Sequence, residues 1–570
     1  MPEGLGQGQS SATMTTQVLI VGGGPCGLML ANELGRRGIE AILIDQKATT
    51  AFSPQANACQ ARSMEHFRRL GFANEIRAMG LPNDYPTDIA YFTRYMKPEL
   101  SRFKRPSSGE ATQVVKTAGG SWTAAELPHR VSQKFVEQVL YRHACALPSI
   151  SIAFGWRLEE FEEGPGHVVT RIANVNTGET RQIHAKYVFG ADGARSFVRR
   201  QLGFHYDGDS ARERDFMGGQ MLAVFFKAPD FYARCPGERA WMYTSFNDQR
   251  RALLIAVDGV ETFFFHAQLH PSEEATEITD EKAIAYIEEA MGEPIKVSIL
   301  HKGFWLAGRA LVADHFQRGR IFLGGDAVHL FTPTGGMGYN TAIEDAVNIG
   351  WKLAAVLKSQ APESLLDSYE GERRPVAIRN TGFARQFADS IGLYKPTPAL
   401  EKPGRAGDAA RQRAGEYLAN HAASEFNIPG FTLGARYDTS SIIAADPAPA
   451  PPDRPGVYVQ SGKPGGRAPH AWLEDGRSLF DTFGFEWTLL CMGARKADVE
   501  RFRTAAKEFG LELSVVDCDD EIVADLYGSD LALIRPDQVV AWRRITDEPD
   551  ARQALVVALG RVARDTKAQN

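Results

Sequence analysis

The chain has few cysteines, and no two of them stand close enough to act as a pair. Cys26, Cys59, Cys145, Cys235, Cys491 and Cys518 are scattered over 570 residues, with no CxxC and no metal-ligand spacing. A disulfide scaffold, a zinc-ribbon site and a dithiol redox motif are thereby excluded, and a reducing, cytoplasmic setting is expected. No run approaches the ~18 apolar residues of a membrane span, so no membrane partner is expected. There is no basic surplus either: 64 Lys and Arg stand against 70 Asp and Glu, for a net charge of −6. Nucleic acid is therefore not an expected partner. Residues 1–15 are small and polar and lack a signal-peptide apolar core. They are expected to form a disordered leader, with Met14 as an alternative start.

What the chain does have is glycine in patterned places. Residues 18–45 read VLIVGGGPCGLMLANELGRRGIEAILID. A short apolar run leads into Gly22-x-Gly24-x-x-Gly27, an amphipathic stretch follows, and a second apolar run ends on Asp45. Strand, glycine turn, helix, strand and acid each do a job in holding a dinucleotide. Gly22 allows the tight turn, Gly24 admits a pyrophosphate, and Gly27 lets the helix lie close on the strand. The helix N-terminus offers free N–H groups to phosphate. Asp45, 18 residues beyond Gly27, is placed to accept from a ribose diol. Taken alone, the stretch promises an ADP-containing ligand and does not choose NAD or FAD.

At this length two or three domains are expected. A helix is expected from Arg62 to Leu70, with Met64, Phe67 and Leu70 on one face. Arg62 lies on a segment returning towards the fingerprint. Residues 81–126 read as irregular, broken by Pro82, Pro86, Pro98 and Pro106. Their aromatic cluster, Tyr91, Phe92 and Tyr95 around Arg94, either lines a pocket or covers a sheet. HRVSQKFVEQVLYRHA reads as a helix, with Arg130 and Gln133 at its start. Alternating residues in 150–190 suggest strands joined by hairpins.

Two further glycine blocks follow. In YVFGADGARSFVRRQLG an apolar strand meets Gly190 and Asp192, and Arg195 and Arg199 then stand where they can meet phosphate. Read alone, this is also an ordinary strand-turn-helix corner. Residues 213–270 suggest an antiparallel sheet large enough to wall an apolar cavity; its His266 and His270 are either structural or catalytic. In GRIFLGGDAVHLFTPTGGMGYN a strand ends on Gly325-Asp326, a loop carries Pro333, Gly336 and Gly338, and a helix runs from about Tyr339 to Leu357. DPAPAPPDRPG at 446–456 is a Pro-rich connection, and the tail after it alternates short strands and helices.

GxGxxG with its acid, DGxRSxxR, and GDAxHxxxPxxGxGxN, in that order, resemble the class A flavoprotein aromatic monooxygenases over roughly residues 16–390. The tail segments PGGRAPHAWL and IRPDQVVAWR are similar to the C-terminal thioredoxin-like domain of the phenol, 2-hydroxybiphenyl and 3-(3-hydroxyphenyl)propionate hydroxylase branch. The resemblance implies an α/β protein. A Rossmann-like FAD-binding domain of the glutathione-reductase type would occupy 16–90, 125–200 and 300–390. An inserted antiparallel-sheet substrate domain would take 91–124 and 201–299, and a helical connection with the Pro-rich linker would take 391–456. A thioredoxin-like domain without CxxC, structural or oligomeric rather than redox-active, would take 457–566.

The same resemblance implies FAD on Gly22, Gly24, Pro25, Cys26 and Gly27, with Asp45 and Gln46 beside them. Gln55, Arg62 and Gln133 would reach the cofactor, and Asp192 would lie near both FAD and NAD(P)H. Asp326 would bind the ribityl chain, and the Pro333–Gly338 loop, with Gly336, would lie against the isoalloxazine. Gly325, Tyr339 and Asn340 complete the implied cofactor set. The implied reaction is hydroxylation of a small phenolic or related aromatic substrate by O2, through a flavin C4a-hydroperoxide, in a homodimer. Hydroxylation of a larger polyketide or antibiotic, and flavin binding without turnover, are the alternatives. A flavin halogenase is disfavoured, since no two tryptophans form W-x-W. Many relatives carry Arg where Gln55 stands, and some phenol-type relatives carry His where Asn57 stands. Arg94, Tyr95, Tyr243 and His266 are the candidates to polarise or deprotonate the substrate, and Asn57 and Pro333 complete the catalytic set.

Overall fold

In the computed structural model of the chain, residues 13–53, 55–209, 219–547 and 550–561 are described. Most of the expected leader, Pro54, the start of the expected 213–270 sheet and the last residues of the tail lie outside them. Met14 belongs to a strand, so that strand overlaps the end of the expected leader.

The first sheet is mostly parallel. Its order is Gln317–Arg318, Ile321–Leu323, Thr180–Gly190, Met14–Val21, Ala41–Asp45, Ile150–Phe154. The antiparallel strands Trp156–Gly164 and His167–Asn174 extend it through Thr180–Gly190. Val18, Leu19 and Ile20 are wholly buried, as expected of a parallel strand covered on both faces. The helices Gln133–Cys145 and Gly338–Leu357 pack on the helix Pro25–Arg36. Gly27 is required by the strand and turn that precede this helix, since a Cβ there would sit 1.9 Å from the Gly22 carbonyl oxygen.

The second sheet has seven strands, in the order Ser298–Ala307, Gly219–Lys227, Thr262–Gln268, Ala252–Ala256, Met242–Ser245, Ile89–Phe92, Glu99–Phe103. Only the pairing of Met242–Ser245 with Ile89–Phe92 is parallel. The expected ranges 91–124 and 201–299 cut through this sheet, because Ile89–Phe92 and Ser298–Ala307 both cross their edges. Residues 81–126 are also more regular than their prolines suggest. Besides two strands they hold the helix Ser108–Thr117, which starts in a capping box between Ser107 and Glu110.

The tail is a four-stranded sheet in the order Leu513–Asp517, Trp487–Cys491, Leu531–Ile534, Val540–Arg543. With helices Lys496–Glu508, Glu521–Tyr527 and Ala551–Ala558, it has the βαβαββα chain order of a thioredoxin-like fold. Burial pushes the Cys491 thiol up to about 11, which leaves it inert at neutral pH.

Buried charge joins the tail to the first domain. Glu372 is 1% exposed. It accepts from Asn348 at 2.6 Å, Lys352 at 2.7 Å, Ser440 at 2.6 Å and both terminal nitrogens of Arg535 at 2.6 and 3.0 Å. Nearby, Glu65 accepts from Arg467 at 2.5 and 2.8 Å. These cations hold the Glu372 carboxyl well below the usual carboxylate range. Removing one partner of such a group typically destabilises by about 3–5 kcal/mol. Glu372→Gln is therefore expected to lower the thermal unfolding midpoint by several degrees. An unchanged midpoint in a calorimetric scan would show that the network contributes nothing.

Candidate active site

Parallel strands place all their C-termini along one edge, and that edge is where ligands bind in such sheets. Here the strands end on Val21, Asp45, Gly190 and Leu323. The turns that follow bring Gly22, Asp45, Asp192 and Asp326 to one crevice. Two helices begin there without a side-chain cap, Pro25–Arg36 and Gly338–Leu357. Their first N–H groups and positive dipole ends therefore face the same space.

That space is a cavity of about 1590 Å³. Pockets for a single small ligand run to roughly 300–1,000 Å³, so this one has room for two. Its far wall is one face of the second sheet. Strand alternation sends every second residue to that face. Cross-strand register aligns Gly303, Ala223, His266, Leu253, Thr244 and Tyr91 in one row. Phe264, Ile255 and Met242 belong to the next row. All nine line the cavity. The chain after the sheet adds Ile391, Glu425 and Phe426.

The acids in the crevice are acceptors with unused capacity. Asp192 Oδ2 accepts from the backbone N–H of Phe197 at 2.6 Å and Val198 at 3.1 Å, while its Oδ1 is buried without a partner. Burial raises the Asp192 carboxyl above its ordinary value. The Asp326 side chain stands open to the cavity with no hydrogen bond to another described residue. Asp45 accepts from Gly23 N–H and Lys47 N–H, both at 2.7 Å. Behind the Gly325-Asp326 turn lies Asp345, which is wholly buried. It accepts from Gly325 N–H at 3.0 Å, His329 at 2.7 Å and Arg373 at 2.7 Å. Burial alone would raise its carboxyl, but the Arg373 guanidinium and the hydrogen bonds from Arg373 and His329 hold it below the ordinary value.

Most residues singled out from the sequence line this cavity: Gly22, Gly24, Pro25, Cys26, Asp45, Gln46, Gln55, Asn57, Gln133, Asp192, His266, Gly325, Asp326, Pro333, Gly336, Gly338 and Tyr339. Gly27 sits behind the turn, against Gly22. Five stand elsewhere, each for a physical reason. Tyr243 lies between Met242 and Thr244 on its strand, so alternation turns it to the opposite face. There it meets Phe231 at 5.1 Å and accepts from Ala240 N–H at 2.8 Å. Tyr95 packs edge-on against Phe92 and Tyr243 in the same core. Arg94 is held away by Glu401 and by the Glu289 carbonyl. Arg62 joins the tail, donating to Glu65, to Gln538 at 3.0 Å and to the Asp537 carbonyl at 2.5 Å. Asn340 is a clamp between loops: it accepts from Gln60 N–H at 2.7 Å and donates to the Ala58 and Gly336 carbonyls. Arg199 likewise donates to the Ala327 carbonyl at 3.0 Å. Sequence reading missed Glu137, Trp241, Glu425 and Phe426 as lining residues, because nothing local to them distinguishes a lining residue from a core one.

His266 is in the cavity wall, with one ring nitrogen engaged from behind. The Trp305 indole donates to its Nδ1 at 3.3 Å. An indole N–H can only donate, so Nδ1 is the acceptor nitrogen and the ring proton is on Nε2. Burial pushes the ring down to about 4. Since the unfolded ring titrates near ~6.5, the unfolded state binds more protons between those values. The stability contributed by the neutral ring is complete above pH ~6.5 and is lost as pH falls towards 4. Histidine NMR should accordingly show the His266 ring neutral and Nε2-protonated from pH 8 down to pH 5; a midpoint near 6.5 would contradict this. For the crevice, Asp326→Ala is expected to give colourless protein without FAD, and stoichiometric flavin in that variant would remove Asp326 from the cofactor set.

Residues 15–384 match the family model described as an FAD binding domain. Residues 461–563 match the aromatic-ring hydroxylase C-terminal domain. Aklavinone 12-hydroxylase DnrF of Streptomyces peucetius is 33% identical over 485 residues, covering 83% of this chain and 90% of its own length. Phenol 2-monooxygenase of Pseudomonas sp. is 29% identical over 580 residues, covering 95% and 91%. The structure of the rebeccamycin biosynthetic enzyme RebC with reduced flavin matches with a TM-score of 0.85 at 31% identity, over 97% of this chain and 100% of its own. With an uncapped glycine crevice, a sheet-walled cavity and a thioredoxin-like tail in one chain, this protein belongs to the FAD-dependent aromatic hydroxylases.

Proposed function

We propose that the protein uses NAD(P)H and O2 to hydroxylate a polycyclic phenolic compound. The observation that carries this reading is the continuity of the cavity: cofactor crevice and sheet face enclose one space of about 1590 Å³. If a dinucleotide takes the upper end of a single-ligand pocket, ~1,000 Å³, roughly 600 Å³ remains for the substrate. The first row of lining residues crosses six strands, from Gly303 to Tyr91. At ~4.8 Å per strand that spans about 24 Å, far wider than one phenol ring. The multi-ring alternative is thus favoured over a single-ring phenol.

The residues present fit FAD. A Cβ on Gly24 would meet nothing within 4 Å, so the backbone there is open to a pyrophosphate. Gly22, at φ +118°, passes so close to the Ala191 carbonyl that a Cβ would lie 2.2 Å from it. The unpartnered oxygens of Asp192 and Asp326 suit the hydroxyls of a polyol, since ionised carboxylates only accept. Bound FAD supplies the redox chemistry, taking hydride from a nicotinamide and activating O2. The chain's own residues do the rest. The backbone N–H groups of Gly24 and Cys26, which line the crevice, would hold the pyrophosphate, and Asp45 would take the ribose diol. The loop at Pro333–Gly338, which lines the cavity, would lie against the flat flavin. Gln55 puts a neutral amide where many relatives carry a cation. The apolar row Phe264, Ile255 and Met242 excludes water from the reacting ring. His266, with its proton on Nε2, donates to a substrate oxygen.

The test is a substrate panel of phenol, 1-naphthol and a dihydroxyanthraquinone, offered to purified holoprotein with NADH or NADPH under 18O2. The expected result is nicotinamide oxidation accelerated at least tenfold by a polycyclic member, with one 18O atom in the product. If reduction stays slow with every aromatic and no label enters, the chain binds flavin without turnover and the proposal fails.

A further inference from the structure

Among the described residues, nine arginines are buried. Eight of them donate hydrogen bonds to a carboxylate or a backbone carbonyl. Arg130 is the exception. It is 3% exposed, its Nε is buried with no partner, and it lines the large cavity. What surrounds it is aromatic: Trp241 with its ring centroid at 4.5 Å and Phe426 at 5.8 Å. The one nearby acid, Glu425, is engaged elsewhere. It accepts from Gly335 N–H at 3.1 Å and pairs with His421 at 2.8 Å. The neighbouring cation, Arg105, also lacks a carboxylate on its guanidinium and donates to the Phe426 carbonyl at 2.6 Å. Burial and Arg105 both push the Arg130 guanidinium below its ordinary range, so this end of the cavity is short of negative charge.

A buried, unpaired guanidinium is unfavourable by several kcal/mol unless something supplies the counter-charge. The two aromatic faces offset part of that. The planar fork they hold matches a carboxylate or an ionised hydroxyl. We propose that Arg130 receives an anionic oxygen of the aromatic substrate at the end of the cavity walled by Trp241, Tyr91 and Phe426. The substrate class is therefore narrowed from a polycyclic phenol to one carrying a carboxylate or an acidic hydroxyl. Arg130 then sets which end of that molecule enters first. The inference rests on the reading of this cavity as the substrate site.

Binding without turnover separates the two readings. The probes are 1-hydroxy-2-naphthoate, its neutral carboxamide and 1-naphthol. Each is titrated into holoprotein without NAD(P)H, with flavin fluorescence as the signal. The carboxylate is expected to bind at least tenfold tighter than the carboxamide, the usual scale of a charge-assisted hydrogen bond. Arg130→Gln is expected to keep its flavin and to bind both equally. If the source is instead an ionised hydroxyl, 1-naphthol will tighten as pH rises through its own pKa in the parent protein and not in the variant. Equal binding of all three probes by the parent protein at every pH, or a preference that survives Arg130→Gln, overturns the assignment. Loss of flavin from a folded Arg130→Gln also overturns it, since Arg130 would then belong to the cofactor. Should that variant not fold, Arg130→Lys keeps the charge but not the fork. It is expected to weaken the preferred anion several-fold and leave the carboxamide unchanged, and unaltered anion affinity there overturns the assignment too. Discrimination without hydroxylation would leave Arg130 in place and tell against the hydroxylase reading alone.

Discussion

Asp345 is the group on which the rest of the arrangement depends. A wholly buried carboxylate survives only where donors surround it, and here they come from three directions. Gly325 brings the turn that carries Asp326, His329 brings the strand after it, and Arg373 brings the long helix Ser368–Leu393. One side chain thus fixes the turn facing the cavity and the helix behind it. Arg373 also donates to Tyr437 at 2.9 Å and to the Thr341 carbonyl at 3.1 Å. Its neighbour Glu372 gathers Lys352 and Arg535. Consecutive residues on one helix therefore serve the crevice and the tail.

The cavity itself follows from two periodicities meeting. On one side, parallel strands share a C-terminal edge, so segments more than a hundred residues apart in sequence deliver their turns to one place. On the other, a period of two assigns alternate residues of the second sheet to the cavity and to the core. The same rule makes Thr244 a lining residue and its neighbour Tyr243 a core residue. A tyrosine hydroxyl is attractive chemically, but position on the strand decides its access.

That contrast explains how far the sequence could be read. The crevice was legible because each of its turns is local: glycine, acid and helix start lie within a few residues of one another, and the backbone requires them. The thioredoxin-like tail was legible from the resemblance of two segments, while the order of its strands came only with the structure. Arg62, Arg94 and Asn340 misled because a polar side chain near a motif can point to a neighbouring domain or loop as easily as to a ligand. Their partners, such as Asp537 and Glu401, lie hundreds of residues away. Arg130 was visible as a residue at the start of a helix, but not as an unpaired one. Pairing is a property of what the fold brings near, and only the packed structure shows that nothing arrives.

The charges that join the tail to the first domain have a consequence for what kind of object the tail is. Glu65, Glu372 and Arg62 sit in the first domain; from the tail Arg467 and Arg535 donate to the two acids, and Asp537 and Gln538 accept from Arg62. Without the tail, Glu65, Glu372 and Arg62 would each lose hydrogen-bond partners at a face now buried. The tail is thus comparable to an obligate subunit that happens to share a polypeptide with its partner. The Pro-rich connection sets how often the two meet, and the buried charges set the register in which they stay.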